Sequence, residues 1–277
     1  GADGPLFTLL SAGLDSSGMT ALAARQLAER GYLVRSFAVD FPDQEKNFRA
    51  LEVSPTQDTP YVHAVAEHVR SDHSDIVLDG AALADPAVRR AAVGARDVPM
   101  GLGDRDNSLY LLFKAIREQS TVALSGESAD EVFGGYPWFH NDHERYADTF
   151  PWMVNSPLDP GALLEQGVVR RLALADYIAD NYQSALRAAP VKDGESGLER
   201  RMRQVCYLHL TRMVQSLLDR KDRMSMAVGL EVRVPFCDHR LVEYVFNAPW
   251  SLKNYDQREK SLLRGATRDL LPASVAD

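Results

Sequence analysis

Apolar positions in the first half of the chain alternate between two rhythms. Leu6 to Leu10 is a short apolar run that closes on a Gly-containing turn, which is the pattern of a buried strand. From Ser16 to Arg30, Met19, Leu22, Ala23 and Leu27 recur at helical spacing, and Gly31 stands where a C-terminal cap belongs. The same reading predicts a strand over Val34 to Phe41, a helix over Tyr61 to Val69 and a strand over Ile76 to Leu78. A helix over Ser108 to Gln119 and a fourth strand over Thr121 to Leu124, ending in Ser125-Gly126, complete the half. Such alternation predicts a parallel doubly wound sheet covered by helices on both faces.

Two stretches interrupt this pattern. Pro42 to Pro60 is rich in charge and turn formers and predicts a mobile loop. Ala95 to Asn107 carries Pro99, Gly101 and Gly103 and predicts another loop. After Tyr136 the texture changes: Trp138 to Pro160 is irregular and aromatic, and helical patterns dominate from Gly161 onward. Leu198 to Arg220 is the clearest of these, with Met202, Val205, Cys206, Leu208, Met213, Leu217 and Leu218 on one broad face. The stripe reads as core packing. One domain is therefore expected over 1–277, with an α/β part over 1–136 and a mainly helical part over 137–277.

Composition narrows the class. A chain of 277 residues with 45% hydrophobic and 25% charged residues has the make-up of an ordinary globular protein with a core of normal size. A net charge of −8 argues against a general nucleic-acid partner, which calls for a basic face. Cys206 and Cys237 form no Cys-x-x-Cys pair, so they read as buried reduced thiols, and low cysteine usage fits a cytoplasmic location. No apolar run approaches the length of a membrane span. The chain starts at Gly1, without Met or a signal-peptide pattern, which leads us to expect an upstream segment.

Candidate chemistry begins at Ser11-Ala12-Gly13-Leu14-Asp15-Ser16-Ser17, which follows a predicted strand and opens a predicted helix. Ligands of a doubly wound sheet bind at the carboxyl ends of its strands, and a helix N-terminus there offers N–H groups and partial positive charge to a phosphate. Gly13 permits close backbone approach, and Ser11, Ser16 and Ser17 add hydroxyl donors. Asp15 would repel phosphate oxygens without an intervening cation, so it reads as a Mg²⁺ ligand. On these residues alone a serine-rich N-cap is the alternative, with Asp15 favouring the helix dipole. The segment resembles the Ser-Gly-Gly-Leu-Asp-Ser-Ser loop of the ATP pyrophosphatases, which split ATP between its α- and β-phosphates. Ala12 departs from that pattern, and a positive φ there would put its Cβ under strain.

A second motif is more specific. Leu124-Ser125-Gly126-Glu127-Ser128-Ala129-Asp130-Glu131-Val132-Phe133-Gly134-Gly135-Tyr136 places three carboxylates within five residues at the end of a predicted strand. Like charges so close are costly unless a metal or a cationic intermediate sits among them. The stretch closely resembles the Ser-Gly-Glu-Gly-Ala-Asp-Glu motif of the asparagine synthetase family's C-terminal synthase domain, with Ser128 in place of a glycine. The resemblance implies that Glu127 is catalytic and that Asp130 works with Asp15 in holding Mg²⁺ and pyrophosphate. It also implies that Leu10, Val39, Ser125 and Gly126 contact ATP. Two later segments agree: Asp219 to Ala227 leading into Leu230 to Asp238, and Arg258 to Arg264, whose Lys260 matches a lysine facing the family's active site. Taken alone, the alternating charges near Asp219 read as structural ion pairs.

The family implies ATP-dependent amidation of aspartate through β-aspartyl-AMP. Its members usually carry an N-terminal glutaminase domain as the ammonia source, and the cysteine nucleophile of that domain is absent here. The expected partners are small molecules (aspartate, ATP and ammonia), the glutaminase domain of a longer protein, and no nucleic acid or membrane. A homodimer stays open. Arg220, Arg223 and Arg233 are candidates for the aspartate α-carboxylate. The rivals are a cyclising amide ligase of the β-lactam synthetase or lasso-peptide cyclase type, and a binding domain that has lost activity. Glu127 weighs against β-lactam synthetase, and the retained Asp15, Glu127, Asp130 and Lys260 weigh against lost activity.

Overall fold

A computed structural model describes residues 6–43, 46, 48–49, 56–98, 104–156, 161 and 164–276. The loop glycines Gly101 and Gly103, together with Pro99, lie outside the described residues, as does much of the expected loop over Pro42 to Pro60.

The four predicted strands and a fifth that the pattern had not indicated form one parallel sheet. Its members are β1 (Phe7–Leu9), β2 (Arg35–Asp40), β3 (Asp72–Val77), β4 (Val122–Leu124) and β5 (Glu231–Arg233), in the order β3-β2-β1-β4-β5. Phe7 pairs with Arg35 and Thr8 with Leu124, so β1 sits between its sequence neighbour and a strand more than a hundred residues away. The chain steps outward from β1 to β2 and β3, then returns to the other flank of β1. The gap between β1 and β4 is thus the switch point of the sheet, where ligands of this architecture bind at the carboxyl ends.

Helix α1 (Leu14–Ala28) begins two residues earlier than the apolar spacing predicts. It ends as predicted: Gly31 has φ +75°, the Gly31 amide donates to the Ala28 carbonyl and the Tyr32 amide to that of Leu27. Next come α2 (Thr59–His68), α3 (Gly80–Ala84), α4 (Pro86–Arg96) and α5 (Asp104–Arg117). The periodicity had not indicated α3 and α4, although Asp79 and Asp85 cap them through their side chains. Helix α4 also takes up the start of the loop expected over Ala95 to Asn107. Strand β3 starts four residues before the apolar run that predicted it. Its burial follows no clean alternation, as suits an edge strand.

Compact packing divides the chain into two units. The first comprises 1–128, 216–238 and 263–277, and the second 129–215 and 239–262. The first unit's core joins Phe7, Phe37, Phe113, Ile116, Ala123, Met224 and Leu230, with Phe7 and Phe37 stacked 5.6 Å apart. Further helices follow β4: α6 (Ala129–Phe133), α7 (Asp142–Arg145), α8 (Gln166–Leu172), α9 (Leu174–Ala188), α10 (Gly197–Leu208) and α11 (Val214–Met226). The helical stripe read over Leu198 to Arg220 is interrupted by a π-helical turn, His209–Met213. Met202, Val205, Cys206 and Leu208 of the stripe are fully buried, as core packing requires. The irregular aromatic stretch supplies Phe139, which packs with Met202, Val205, Cys206 and Trp250. Both cysteines are free thiols, with Cys206 buried and Cys237 half-buried.

Candidate active site

The first unit brings two sequence motifs into contact. Gly13 is the N-cap of α1, and no side chain caps that helix end. This helix end follows the carboxyl end of β1, and its first-turn amides are without a side-chain cap. Gly13 has φ −65°, and a Cβ on it would meet nothing closer than 3.6 Å. Neither backbone strain nor internal packing demands a glycine there, so its missing side chain leaves room on the outer side, as a phosphate would need. Ala12 does not lie at positive φ. The strain foreseen for it is absent, and the loop tolerates the alanine.

The serines divide their work. The Ser16 hydroxyl donates to the Ser11 carbonyl (2.7 Å) and accepts from the Ser11 amide (3.0 Å), closing the loop on itself. Ser17 is fully buried, and its hydroxyl lies 3.5 Å from the Ser11 carbonyl. Ser11 is the exposed hydroxyl of the three. Leu10 is a core residue packed with Ala38, Val62, Val65 and Ala66, and Val39 is half-buried on β2. Asp15 occupies the first turn of α1, where the helix dipole favours its charge.

The acidic motif meets this loop at Gly126. A Cβ on Gly126 would lie 2.8 Å from the Ser16 amide nitrogen and 3.1 Å from the Asp15 carbonyl carbon, so only glycine lets the strand end come this close. Glu127 thus directly follows the residue that contacts the Ser11 to Ser17 loop. Its carboxylate pairs with Lys221 at 2.6 Å, and the Lys221 ammonium also donates to the Ser125 hydroxyl at 2.6 Å. The alternating charges of Asp219 to Ala227 had read as structural pairs, which missed Lys221. No local signal distinguishes a lysine facing a site from one facing its own helix. Its neighbours Arg220, Arg223 and Arg233 are bound to Asp106, Asp219 and Glu231 respectively. Arg220 holds a carboxylate that is 4% exposed, so it serves the fold.

Ser128, where the family motif has glycine, stands at φ +79° while 2% exposed. That is a left-handed backbone for a residue bearing a Cβ, so the departure is costlier than a change of side chain alone. The Cys237 thiol donates to its hydroxyl (2.9 Å).

The rest of the motif lies in the second unit, described by its own neighbours. Asp130 accepts from Lys260 Nζ at 2.8 Å. Gly135 is required by this carboxylate, because a Cβ there would fall 1.8 Å from Asp130 Oδ1. Gly134 has φ +78° and faces the Trp250 ring, 2.8 Å from where its Cβ would stand. Glu131 is buried and accepts from the Tyr136 hydroxyl (2.5 Å). Lys260 is 8% exposed and sits at φ +52°, just ahead of α14 (Ser261–Thr267); helices α12 (His239–Asn247) and α13 (Trp250–Lys253) precede it. Asp256 clamps this turn by accepting from the Ser261 hydroxyl and from the Arg258 amide and guanidinium. Burial pushes the Asp256 carboxyl up, but hydrogen bonds from Ser261 and Arg258 and the arginine's charge hold it below the usual carboxylate range. The three crowded carboxylates of the motif thus have three separate partners: Lys221, Lys260 and Tyr136.

Comparison with known proteins identifies the family. The chain matches the asparagine synthase family over residues 1–277. It is 41% identical over 275 residues to asparagine synthetase (glutamine-hydrolyzing) 3 of Bacillus subtilis (strain 168), covering 99% of this chain and 44% of that protein. It is 26% identical over 278 residues to asparagine synthetase (glutamine-hydrolyzing) of Homo sapiens, covering 96% of this chain and 37% of that protein. The chain therefore spans less than half the length of these relatives.

Proposed function

The chain belongs to the asparagine synthase family, and from that premise we propose that it catalyses ATP-dependent amidation of aspartate to asparagine, releasing AMP and pyrophosphate. The observation that carries this reading is the seating of Gly126 on the Asp15–Ser16 backbone, which sets Glu127 beside an uncapped helix N-terminus at the switch point of the sheet. An uncapped N-terminus suits phosphate, and a carboxylate beside it suits the handling of an amine.

In this scheme the ATP phosphates lie over Ser11 to Ser17, with Leu10, Val39, Ser125 and Gly126 contributing to the nucleotide site. Asp15 and Asp130 are the proposed Mg²⁺ ligands; when bound, Mg²⁺ neutralises phosphate charge. The aspartate β-carboxylate attacks the α-phosphorus, pyrophosphate departs, and a β-aspartyl-AMP forms. Lys260 stabilises charge on the α-phosphate as it becomes pentacovalent. Ammonia then attacks the acyl carbon, Glu127 accepts its proton, and AMP leaves with the carbonyl–oxygen bond broken. Lys221 holds the Glu127 carboxylate in one orientation.

The curated relatives are named as glutamine-hydrolyzing, and we propose that a glutaminase domain of the full-length protein supplies the ammonia in the cytoplasm. Among the described residues no helix is long and apolar enough to cross a membrane.

The test is incubation with ATP, Mg²⁺, ammonia and aspartate while pyrophosphate and asparagine are followed. Aspartate-dependent release of both in equal amounts is expected. Pyrophosphate release only with some other carboxylate would overturn the substrate assignment and point to a cyclising ligase. The absence of release from chain that binds ATP would overturn catalysis.

A further inference from the structure

On the outer strand of the sheet, away from both motifs, two histidines converge on one aspartate. His63 on α2 places Nε2 2.7 Å from Asp75 Oδ2, and His73 on β3 places Nε2 3.0 Å from Asp75 Oδ1. The three donor groups lie within 4.8 Å of one another, the one such His/Asp group among the described residues.

The surroundings of His73 decide which nitrogen can act. The Ser71 hydroxyl donates to the Ala66 carbonyl (3.5 Å), which can only accept. With its single proton so used, Ser71 accepts in its 2.9 Å contact with Ser36. Ser36, also with a single proton, then accepts from His73 Nδ1 (2.8 Å). This relay, which ends on a carbonyl and runs through the fully buried Ser36, offers Nδ1 an acceptor and so favours the tautomer whose Nε2 electron pair faces Asp75. An imidazole electron pair and a carboxylate oxygen repel each other unless a proton or a metal cation sits between them. A hydrogen-bonded far nitrogen is also what orients metal-binding histidines in general. Tetrahedral zinc with nitrogen and oxygen ligands at about 2.0–2.1 Å spaces them roughly 3.3 Å apart, so the 3.0 Å and 2.7 Å contacts here need to open by only about 0.3 and 0.6 Å to admit it.

We propose that His63, His73 and Asp75 form a binding site for a late first-row divalent cation of the Zn²⁺ class, clipping α2 to the edge strand β3. Two imidazoles and one carboxylate select such an ion over Mg²⁺ or Ca²⁺, which prefer all-oxygen shells. Three protein ligands leave a position for water or a further ligand. The site is independent of the proposed ligase chemistry.

Zn²⁺ titrated calorimetrically into the chelator-treated chain tests this, with Co²⁺ absorption as a second readout. One equivalent is expected to bind in wild type and to be missing from His63→Gln and His73→Gln. Co²⁺ should give the visible bands of a nitrogen-ligated ion in wild type only. His63 is half-exposed, so its variant is expected to fold, and circular dichroism checks that it does. Ser36→Thr, which keeps the relay hydroxyl, should bind Zn²⁺ as wild type does, whereas Ser36→Ala should weaken binding by about 10–100-fold. Identical Zn²⁺ isotherms for wild type and both folded histidine variants would overturn the proposal. So would the absence of binding at millimolar Zn²⁺, which would leave the two histidines as hydrogen-bond partners of Asp75 alone.

Discussion

Gly135→Ala is a sharp test of the second motif. The backbone at Gly135 is not at positive φ, so alanine suffers no conformational penalty, and any effect must come from the added methyl group. That Cβ would lie 1.8 Å from Asp130 Oδ1, 2.8 Å from Asp130 Cγ and 3.0 Å from its Cα. Restoring ordinary contact requires the carboxylate to retreat by about 1.5 Å. The Asp130–Lys260 contact of 2.8 Å then opens beyond hydrogen-bonding distance. Misplacement of a reacting or binding group by about 1 Å costs on the order of 100-fold in rate, so aspartate-dependent pyrophosphate release should fall by about that factor. Crowding adds a stability cost of about 1–3 kcal/mol. The assay pairs initial-rate pyrophosphate release with thermal unfolding. Gly31→Ala is the control: it imposes strain at φ +75° with no atom within 4 Å, so it should cost about 1 kcal/mol of stability and leave the rate unchanged. A Gly135→Ala enzyme with a near-normal rate would refute the claim that this glycine exists to seat Asp130.

Three other outcomes follow from the geometry. Lys221→Met removes the ammonium shared by Glu127 and Ser125; a hydrogen bond to a charged group is worth about 1.5–3 kcal/mol, so asparagine formation should drop roughly 10–100-fold, and an unchanged rate in steady-state kinetics would detach Lys221 from the site. Ser128→Gly relieves the left-handed backbone at φ +79°, which should raise stability by about 1 kcal/mol and the melting temperature by about 2–4 °C; a fall in melting temperature would mean the Cys237 contact outweighs the strain. His209 is held neutral, because burial outweighs its bond to the Val205 carbonyl and depresses its pKa from 6.5 to about 3. Its Nδ1 donates to Val205 and its Nε2 accepts from Trp138, leaving no place for a second proton. Between pH 6.5 and 3 the unfolded chain therefore binds a proton that the fold does not. This group's contribution is intact above pH 6.5 and is lost at about 1.4 kcal/mol per pH unit below it. Nuclear magnetic resonance of the ring should show no titration near pH 6.5, and a midpoint there would refute the assignment.

Part of this protein can be read one residue at a time. The strand–helix alternation came through because helix and strand periods are local, and the turn at Ser11 to Ser17 because a helix N-terminus follows directly from the strand before it. The acidic motif was identified because its residues are contiguous. What escaped depends on partners distant in sequence. Strand β5 is three residues long and takes its identity from pairing with β4, and Lys221 differs from other helix lysines only in facing Glu127. The strain at Ser128, the absence of strain at Ala12 and the reason for Gly135 all depend on backbone angles and neighbours set by the assembled chain. The sequence thus determined which chemical groups are present and roughly where the chain would place them. Only the tertiary structure allotted each crowded carboxylate its own partner, because in folded proteins like charges persist side by side where long-range contacts bring a counter-charge or a donor to each.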